Sequence, residues 1–188
     1  NGKGATADLA RILGLPVILI LDVSHQAQSA AAIALGFKTL DPTIHIGGLI
    51  LNKVGSPRHE RMVRKALKPL NIPILGSIMR QKNLQTPSRH LGLVQAAEHT
   101  DLETFLNQAA DIVEKNINID ALIALATEQT TPTKPATLLA PPAQRISVAY
   151  DTAFAFCYPH ILQGWHAQGA EVQTFSPLAN EPPPPCDL

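Results

Sequence analysis

Two apolar segments of the sequence each end in a polar side chain of a type that binds ligands. The run 17–21 is followed by Asp22, and the run that begins at Ile46 is followed by Asn52. An asparagine amide donates and accepts hydrogen bonds at once, which matches the N6/N7 edge of adenine. A carboxylate such as that of Asp22 can hold magnesium through water or bind polar groups of a substrate. Two simpler roles compete with these: Asn52 can close a turn after its strand, and Asp22 can cap the next helix.

The sequence lacks the motifs that most directly indicate phosphate binding or a nucleophile. It has no GxxxxGK[ST] P-loop, and the glycines Gly2 and Gly4 around Lys3 have the wrong spacing for one. Neither of its two cysteines, Cys157 and Cys186, lies in the glycine-flanked turn that exposes and activates a nucleophile. The seven histidines show no metal-ligand spacing. The residues alone therefore assign no catalytic group and no metal ligand.

These polar residues belong to a pattern of alternating strands and helices. Apolar runs at 17–21, 46–54 and 74–75 predict buried strands. Helical patterns between and after these runs predict helices at 6–13, 26–40, 57–67 and 102–113. The alternation predicts a doubly wound α/β fold with a parallel sheet. Ligands bind such sheets at the carboxyl ends of the strands, which is where Asp22 and Asn52 are expected to lie.

Composition divides the chain into three parts. Residues 1–127 contain the first series of strands and helices, and residues 128–144 are rich in Thr and Pro, which is typical of an interdomain linker. The alternation restarts in residues 145–188, where a strand, a helix and a strand predict one βαβ unit. About 44 residues are too few for a stable α/β domain, so we expect a truncated second domain and an excised fragment overall.

Charge and composition exclude several classes of protein. The chain has 15 Lys and Arg against 15 Asp and Glu, so no net charge favours nucleic acid or an acidic membrane. No apolar run reaches the ~18 residues of a transmembrane helix, and the start lacks the apolar region of a signal peptide. Two cysteines in 188 residues cannot form a disulfide framework. We therefore expect a cytoplasmic protein that binds neither nucleic acid nor membrane.

Motifs in both outer parts of the chain fit one known family. In the first part they lie at 6–22, 29–32, 35–37, 48–59, 72–76 and 89–93, and after the linker they lie at 145–159 and 169–178. Characteristic stretches are Gly48-Leu-Ile-Leu-Asn-Lys-Val-Gly-Ser-Pro-Arg-His59 and Asp151-Thr-Ala-Phe-Ala-Phe156. In this order the motifs resemble the cobyrinic acid a,c-diamide synthase family, over nearly all of the chain except the linker.

The resemblance implies a P-loop-type, dethiobiotin-synthetase-like ATP-binding domain, followed by a flavodoxin-like class I glutamine amidotransferase domain. Enzymes of this kind use ATP to activate a carboxylate, as an acyl phosphate, and ammonia released from glutamine then gives the amide. The substrate would be a corrinoid that is amidated at its a and c carboxylates in cobalamin biosynthesis. The implied cofactors are ATP and magnesium, with glutamine as the amide donor, and a homodimer is compatible with the resemblance.

Few of the family's functional residues fall within this sequence. The resemblance places Asn52 at the position that binds adenine, and it places Asp22 and Ser29 near the substrate cleft. The P-loop and the magnesium-binding acidic residues would precede Asn1, and the glutaminase Cys and His would follow Leu188. We therefore expect the main ATP and magnesium groups outside this chain, and we expect the 188-residue chain alone to be inactive.

Three other interpretations compete with this one. Cobyric acid synthase shares the architecture but amidates other side chains, and the match at 151–156 favours the a,c-enzyme over it. A partitioning-type ATPase, which acts as a dimeric switch, fits residues 1–127 but gives no reason for the motifs at 145–178. A noncatalytic binding module is the default if the fragment is the natural protein.

Overall fold

The computed structural model describes residues 4–81, 96, 101–126 and 138–188. The chain forms two compact units, Asn1–Gln129 and Thr130–Leu188. The motif at 89–93 and most of the predicted linker lie outside the described residues. In the first unit the elements are α1 Thr6–Leu13, β1 Val17–Asp22, α2 Ser29–Leu40, β2 Ile46–Val54, α3 Pro57–Leu67, a 3₁₀ turn Lys68–Leu70, β3 Ile74–Met79, α4 Leu102–Asn116 and α5 Ile119–Ala124.

The first unit is built on a parallel three-stranded sheet in the order β1-β2-β3. Central strand β2 supplies Leu49 and Leu51, which are fully buried. Helices α2 and α3 cover this core, and the small side chain of Ala30 allows α2 to approach closely while Val63 fills the space under α3. The predicted α/β class with a parallel sheet is confirmed.

Strand β1 differs from the prediction of a strand buried on both faces. Its burial alternates weakly, and the side chain of Ile20 is 61% exposed whereas that of Leu21 is buried. The reason is its position, because β1 is an edge strand of the described sheet and only β2 pairs with it there. The apolar run therefore predicted the strand correctly but overestimated its coverage.

Helix α2 begins at Ser29, three residues later than the predicted start at residue 26. The intervening residues form a loop, in which Gln26 N donates to Val23 O and Gln26 O is bound by the ring of His59. Because those main-chain groups are already paired outside the helix, the alanine-rich pattern cannot extend through them.

The second unit contains the predicted βαβ arrangement. Strand β4 Arg145–Ala149, helix α6 Pro159–Ala167 and strand β5 Glu171–Phe175 follow one another, and β4 and β5 pair in parallel. The last residues of the chain run along β4, where Ser147 N donates to Leu188 O and Arg145 forms an ion pair with Asp187 at 2.7 Å. That this unit begins a flavodoxin-like domain stays a prediction.

Within the described parts of the chain, we find no helix that is both long and apolar enough to span a membrane.

Candidate functional site

A cleft of about 700 Å³ lies at the carboxyl ends of β2 and β3. One wall is apolar and comes from the end of β3 and the middle of α4, through Ile78, Met79, Ala109, Ile112 and Val113. The opposite side is polar and is formed by Ser24, His25, Asn52, Lys53, Arg80 and Gln81. Parallel α/β sheets bind ligands at this edge, so the cleft occupies the expected position.

Asn52 lies in this cleft, half-buried at the end of the central strand. Its main-chain carbonyl accepts a hydrogen bond from Val23 N at 2.9 Å, which ties it to the end of β1. Its side-chain Oδ1 accepts from the N–H of Lys53 at 2.9 Å. Among the described residues, Nδ2 donates to no protein group, so none of them competes with a ligand for its two hydrogens.

Asp22 is the residue opposite Asn52 in the β1–β2 pairing. One carboxylate oxygen accepts from Lys53 Nζ at 2.6 Å, and the other accepts from Ser24 N at 3.0 Å. The hydrogen bond from Lys53, followed by those from Ser24, holds the pKa of Asp22 well below its usual range. The interpretation of Asp22 as a helix cap is wrong, because Gln28 is the residue that precedes the first turn of α2.

Ser29 opens α2 and is exposed to solvent. Of the three residues singled out from the sequence, Asn52 lines the cleft, Asp22 contacts its rim through Lys53, and Ser29 is not among the lining residues. The roles of Asp22 and Ser29 in substrate binding stay predictions.

The structure adds two cationic residues to the rim that sequence analysis missed. Lys53 is the last residue but one of β2, Arg80 directly follows β3, and Arg80 Nη2 donates to Ser24 O at 3.3 Å. A signal was available for both, since each is a charged residue at the carboxyl end of a mainly apolar strand. Arg80 escaped notice because β3 extends to Met79, beyond the predicted end at residue 75.

His59 is another residue near the cleft whose structural role the sequence did not indicate. Its Nδ1 accepts from Gly55 N at 3.1 Å, and its Nε2 donates to Gln26 O at 2.5 Å. The ring is placed by the start of α3, where Ser56 Oγ accepts from His59 N at 3.1 Å. His59 therefore joins the loop after β2 to the loop after β1, and the loop after β1 supplies Ser24 and His25 to the cleft.

The cleft combines features that suit a ligand made of a flat, uncharged base and an anionic tail. Its apolar wall can pack against a heteroaromatic ring, the Asn52 amide offers hydrogen bonds to the ring edge, and Lys53 and Arg80 supply positive charge for an anionic tail. The ion pair with Asp22 offsets the charge of Lys53, and Arg80 is the second cation at this rim.

The described residues contain no cluster of His, Cys, Asp and Glu suited to a metal ion. Both cysteines are free, Cys157 half-buried and Cys186 exposed. Neither supports a metal centre.

Comparisons with known proteins agree with this arrangement. A family model described as an AAA domain matches residues 1–88. A hydrogenobyrinate a,c-diamide synthase from Brucella ovis is 51% identical over 185 residues, covering 97% of this chain and 42% of that protein. Enzymes with the same name from Mesorhizobium japonicum and Agrobacterium fabrum are 47% and 45% identical, and this chain covers 43% of each. No solved structure matches the chain.

The parallel α/β sheet, the cleft at its carboxyl edge and the AAA-domain match make the first unit similar to part of an ATPase-type domain. The chain as a whole is homologous to the a,c-diamide synthases, and the resemblance predicted from its motifs is confirmed. It spans less than half the length of the curated relatives it matches.

Proposed function

We propose that this protein is an ATP- and glutamine-dependent amidoligase that converts the a and c carboxylates of a corrinoid to amides, in cobalamin biosynthesis. The observation that carries the proposal is the Asn52 amide in a nucleotide-sized cleft, within a chain about half identical to synthases named for that reaction. The name of those relatives, hydrogenobyrinate a,c-diamide synthase, also favours this reaction over that of cobyric acid synthase and over a noncatalytic ATPase switch.

The chemistry explains why ATP is needed. A carboxylate is a poor electrophile because its negative charge repels a nucleophile and its oxygen is a poor leaving group. Transfer of the γ-phosphoryl group to that oxygen makes an acyl phosphate, and ammonia then attacks the carbonyl carbon and expels phosphate. One ATP and one ammonia are consumed for each amide, so two of each are needed for the a and c positions.

This chain's contribution to ATP binding is recognition of the base. The adenine edge would meet the Asn52 amide, the ring would stack on the apolar wall that includes Ile112, and the phosphates would leave past Lys53 and Arg80. Magnesium would neutralise the phosphates during transfer, and the family resemblance places its acidic ligands outside this chain.

The second unit supports a glutamine amidotransferase role more loosely. Its β4–α6–β5 arrangement is compatible with the start of a flavodoxin-like domain, and the family motif at 151–156 lies in the loop after β4. We assign glutamine as the ammonia donor on that resemblance, and we assign the enzyme to the cytoplasm on its two free cysteines.

The test uses the full-length protein with Mg-ATP, glutamine labelled with ¹⁵N in its side-chain amide, and hydrogenobyrinic acid. We expect mass spectrometry to show a product carrying two ¹⁵N amides, formed only when ATP is present. Cobyrinic acid serves as the comparison substrate, because the hydrogeno- prefix denotes hydrogen in place of cobalt. A protein that hydrolyses ATP without transferring ¹⁵N to either corrinoid would refute the proposal.

Substitution of Asn52 tests the ATP site separately. Asn52→Ala should raise the ATP KM about tenfold, which corresponds to ~1.4 kcal/mol of lost hydrogen bonding. The KM for glutamine should not change. Asn118→Ala is the matched control, since Asn118 caps α5 through Ala121 N and does not line the cleft. An unchanged ATP KM in the Asn52 variant would remove this residue from the site.

A further inference from the structure

Lys53 has a backbone conformation that lysine rarely adopts. Its φ is +58°, in the left-handed region, where a side chain costs energy unless the surroundings hold it. In the described part of the chain, the other two non-glycine residues with positive φ are Asn71 and Asn180. Asparagine tolerates this region because its short polar side chain bonds locally, whereas lysine has no such compensation. Something other than residue preference therefore holds Lys53 in place.

The strand pairing shows where this conformation comes from. In the β2–β3 ladder Leu51 is opposite Ser77 and Val54 is opposite Met79, so two residues of β2 face the single residue Ile78. This is a β-bulge, a device that re-aims side chains and often lies beside active sites. The two residues of the bulge are Asn52 and Lys53, and both line the cleft.

The bulge turns the N–H of Lys53 toward the side chain that precedes it. That N–H lies 2.9 Å from Asn52 Oδ1. An amide rotated by 180° about its last bond would place NH₂ against this N–H, two donors facing each other, so the bond fixes which end of the amide is oxygen. Oδ1 keeps a second lone pair for a ligand donor, and Nδ2 keeps its hydrogens for a ligand acceptor.

The ion pair with Asp22 holds the side-chain end of Lys53. Nζ lies 2.6 Å from Asp22 Oδ2, and the carboxylate is itself fixed by Ser24 N. Both side chains are about half exposed, 52% and 48%, and exposed ion pairs of this kind contribute little to stability. Positioning of the bulge is a better account of this pair than stabilisation of the fold.

We propose that Lys53 is a positioning residue, whose left-handed backbone and ion pair with Asp22 lock the Asn52 amide in the one orientation that accepts adenine. This inference rests on the proposed function, because it assumes that the cleft binds the base of ATP. Adenine presents an N–H donor at the position where hypoxanthine presents a carbonyl oxygen. An Asn52 Oδ1 that is locked in place accepts a hydrogen bond from the adenine N–H and repels the hypoxanthine oxygen. An amide that is free to rotate accommodates both bases.

The test is the ratio of kcat/KM with ATP to kcat/KM with ITP, measured in the full-length amidation reaction for a series of Lys53 variants. All variants lose the ion pair, but they differ in tolerance of positive φ. Lys53→Gly and Lys53→Asn tolerate it, and Lys53→Val, which is β-branched, does not. We expect the ratio to fall about tenfold in Lys53→Val, which corresponds to ~1.4 kcal/mol, and to stay within about threefold of wild type in the other two.

Two further variants complete the experiment. Asp22→Asn keeps the lysine and removes the ionic partner, and we expect the ATP/ITP ratio to fall by about threefold. Lys65→Val is the matched control, because Lys65 is exposed on α3 and does not line the cleft, so its ratio should equal that of wild type. Thermal unfolding of each variant shows whether a change in kinetics reflects loss of folded protein.

The outcomes separate this inference from the proposed function. A wild-type enzyme that prefers ATP to ITP, with the same ratio in Lys53→Val, overturns the positioning role and leaves the function intact. Equal losses with both nucleotides in Lys53→Val also overturn it, since a merely structural role predicts that result. A wild-type protein with no ATP-dependent amidation refutes the proposed function itself.

Discussion

Replacing Gly76 by alanine tests whether α4 is docked on β3 as the structure shows. Gly76 lies in the middle of β3 and faces Ile117, just past the end of α4, in an isolated antiparallel bridge. An added Cβ would lie 2.2 Å from the carbonyl oxygen of Asn116 and 2.8 Å from the Cα of Ile117. Both atoms belong to the backbone, so no change of rotamer relieves the overlap.

The size of the effect follows from this overlap. Ordinary contact begins at 3.4 Å, so the end of α4 must retreat by about 1 Å or the bridge must break. Overpacking of a well-packed site costs about 1–3 kcal/mol, and a backbone clash falls at the upper end. We expect Gly76→Ala to lower the free energy of unfolding by about 3 kcal/mol, a large part of the 5–15 kcal/mol typical of domains. Because α4 also forms the apolar wall of the cleft, ATP affinity should fall as well.

Gly36→Ala is the matched control for this substitution. Gly36 lies inside α2, and an added Cβ there meets no atom within 4 Å. Alanine in a helix interior is favoured over glycine by about 0.5–1 kcal/mol, so this variant should gain stability. The same substitution, glycine to alanine, is therefore predicted to lower the free energy of unfolding at Gly76 and to raise it at Gly36.

The assay is urea denaturation followed by circular dichroism, with hydrogen exchange of the β3 peptides as a local measurement. The single tryptophan, Trp165, lies in the second unit, so its fluorescence reports that unit and not the effect on β3. An unfolding free energy for Gly76→Ala within about 1 kcal/mol of wild type would refute the docking of α4 on β3, since overpacking of that size cannot be so cheap.

Three more predictions concern packing, pH and activity. Leu51→Ala should destabilise the protein by about 2–5 kcal/mol, whereas Ile20→Ala in the 188-residue chain should cost less than about 1 kcal/mol, and urea denaturation of both variants checks the contrast. Hydrogen bonds from Gly4 N–H and the Arg11 side chain lower the pKa of Asp8 to about 2. The contribution of the Asp8 carboxylate to stability is therefore complete above the ordinary pKa of 3.8 and is lost as the pH falls through about 2. An NMR titration midpoint near 3.8 for this carboxyl group would contradict the prediction. The 188-residue chain alone should release neither phosphate from ATP nor ammonia from glutamine, because its sequence has no P-loop and no glycine-flanked cysteine; turnover above a heat-treated control would contradict it.

Those parts of the fold that depend on local pattern were predictable from the sequence. The apolar run that ends at Asn52 predicts both a strand and the edge at which the residue lies, because parallel strands place their carboxyl ends together. The pattern at 57–67 likewise predicted helix α3 with the bounds that the structure shows. In each case a short stretch of sequence contains the information.

What the sequence could not predict depends on residues far apart in the chain. Strand β3 continues through Gly76 and Ser77, which are typical of turns. Ser77 is held inside the fold by Arg64 Nη2, 2.8 Å from its Oγ and thirteen residues away. The left-handed backbone of Lys53 likewise has its ionic partner, Asp22, thirty-one residues earlier. No propensity of lysine or serine indicates these arrangements.

Strand β2 shows how a rigid core and an adjustable site share one element. Three buried residues anchor this strand: Leu49 and Leu51 before the bulge, and Val54 beyond it. They pack between the neighbouring strands and the helices. The bulge lies between two of these anchors, so Asn52 and Lys53 can leave the regular ladder without loosening the strand. The cost of the left-handed conformation is met by tightly packed side chains on either side. Substitutions at the anchors should therefore reduce stability and ATP binding together, whereas Lys53→Val should chiefly change nucleotide selectivity.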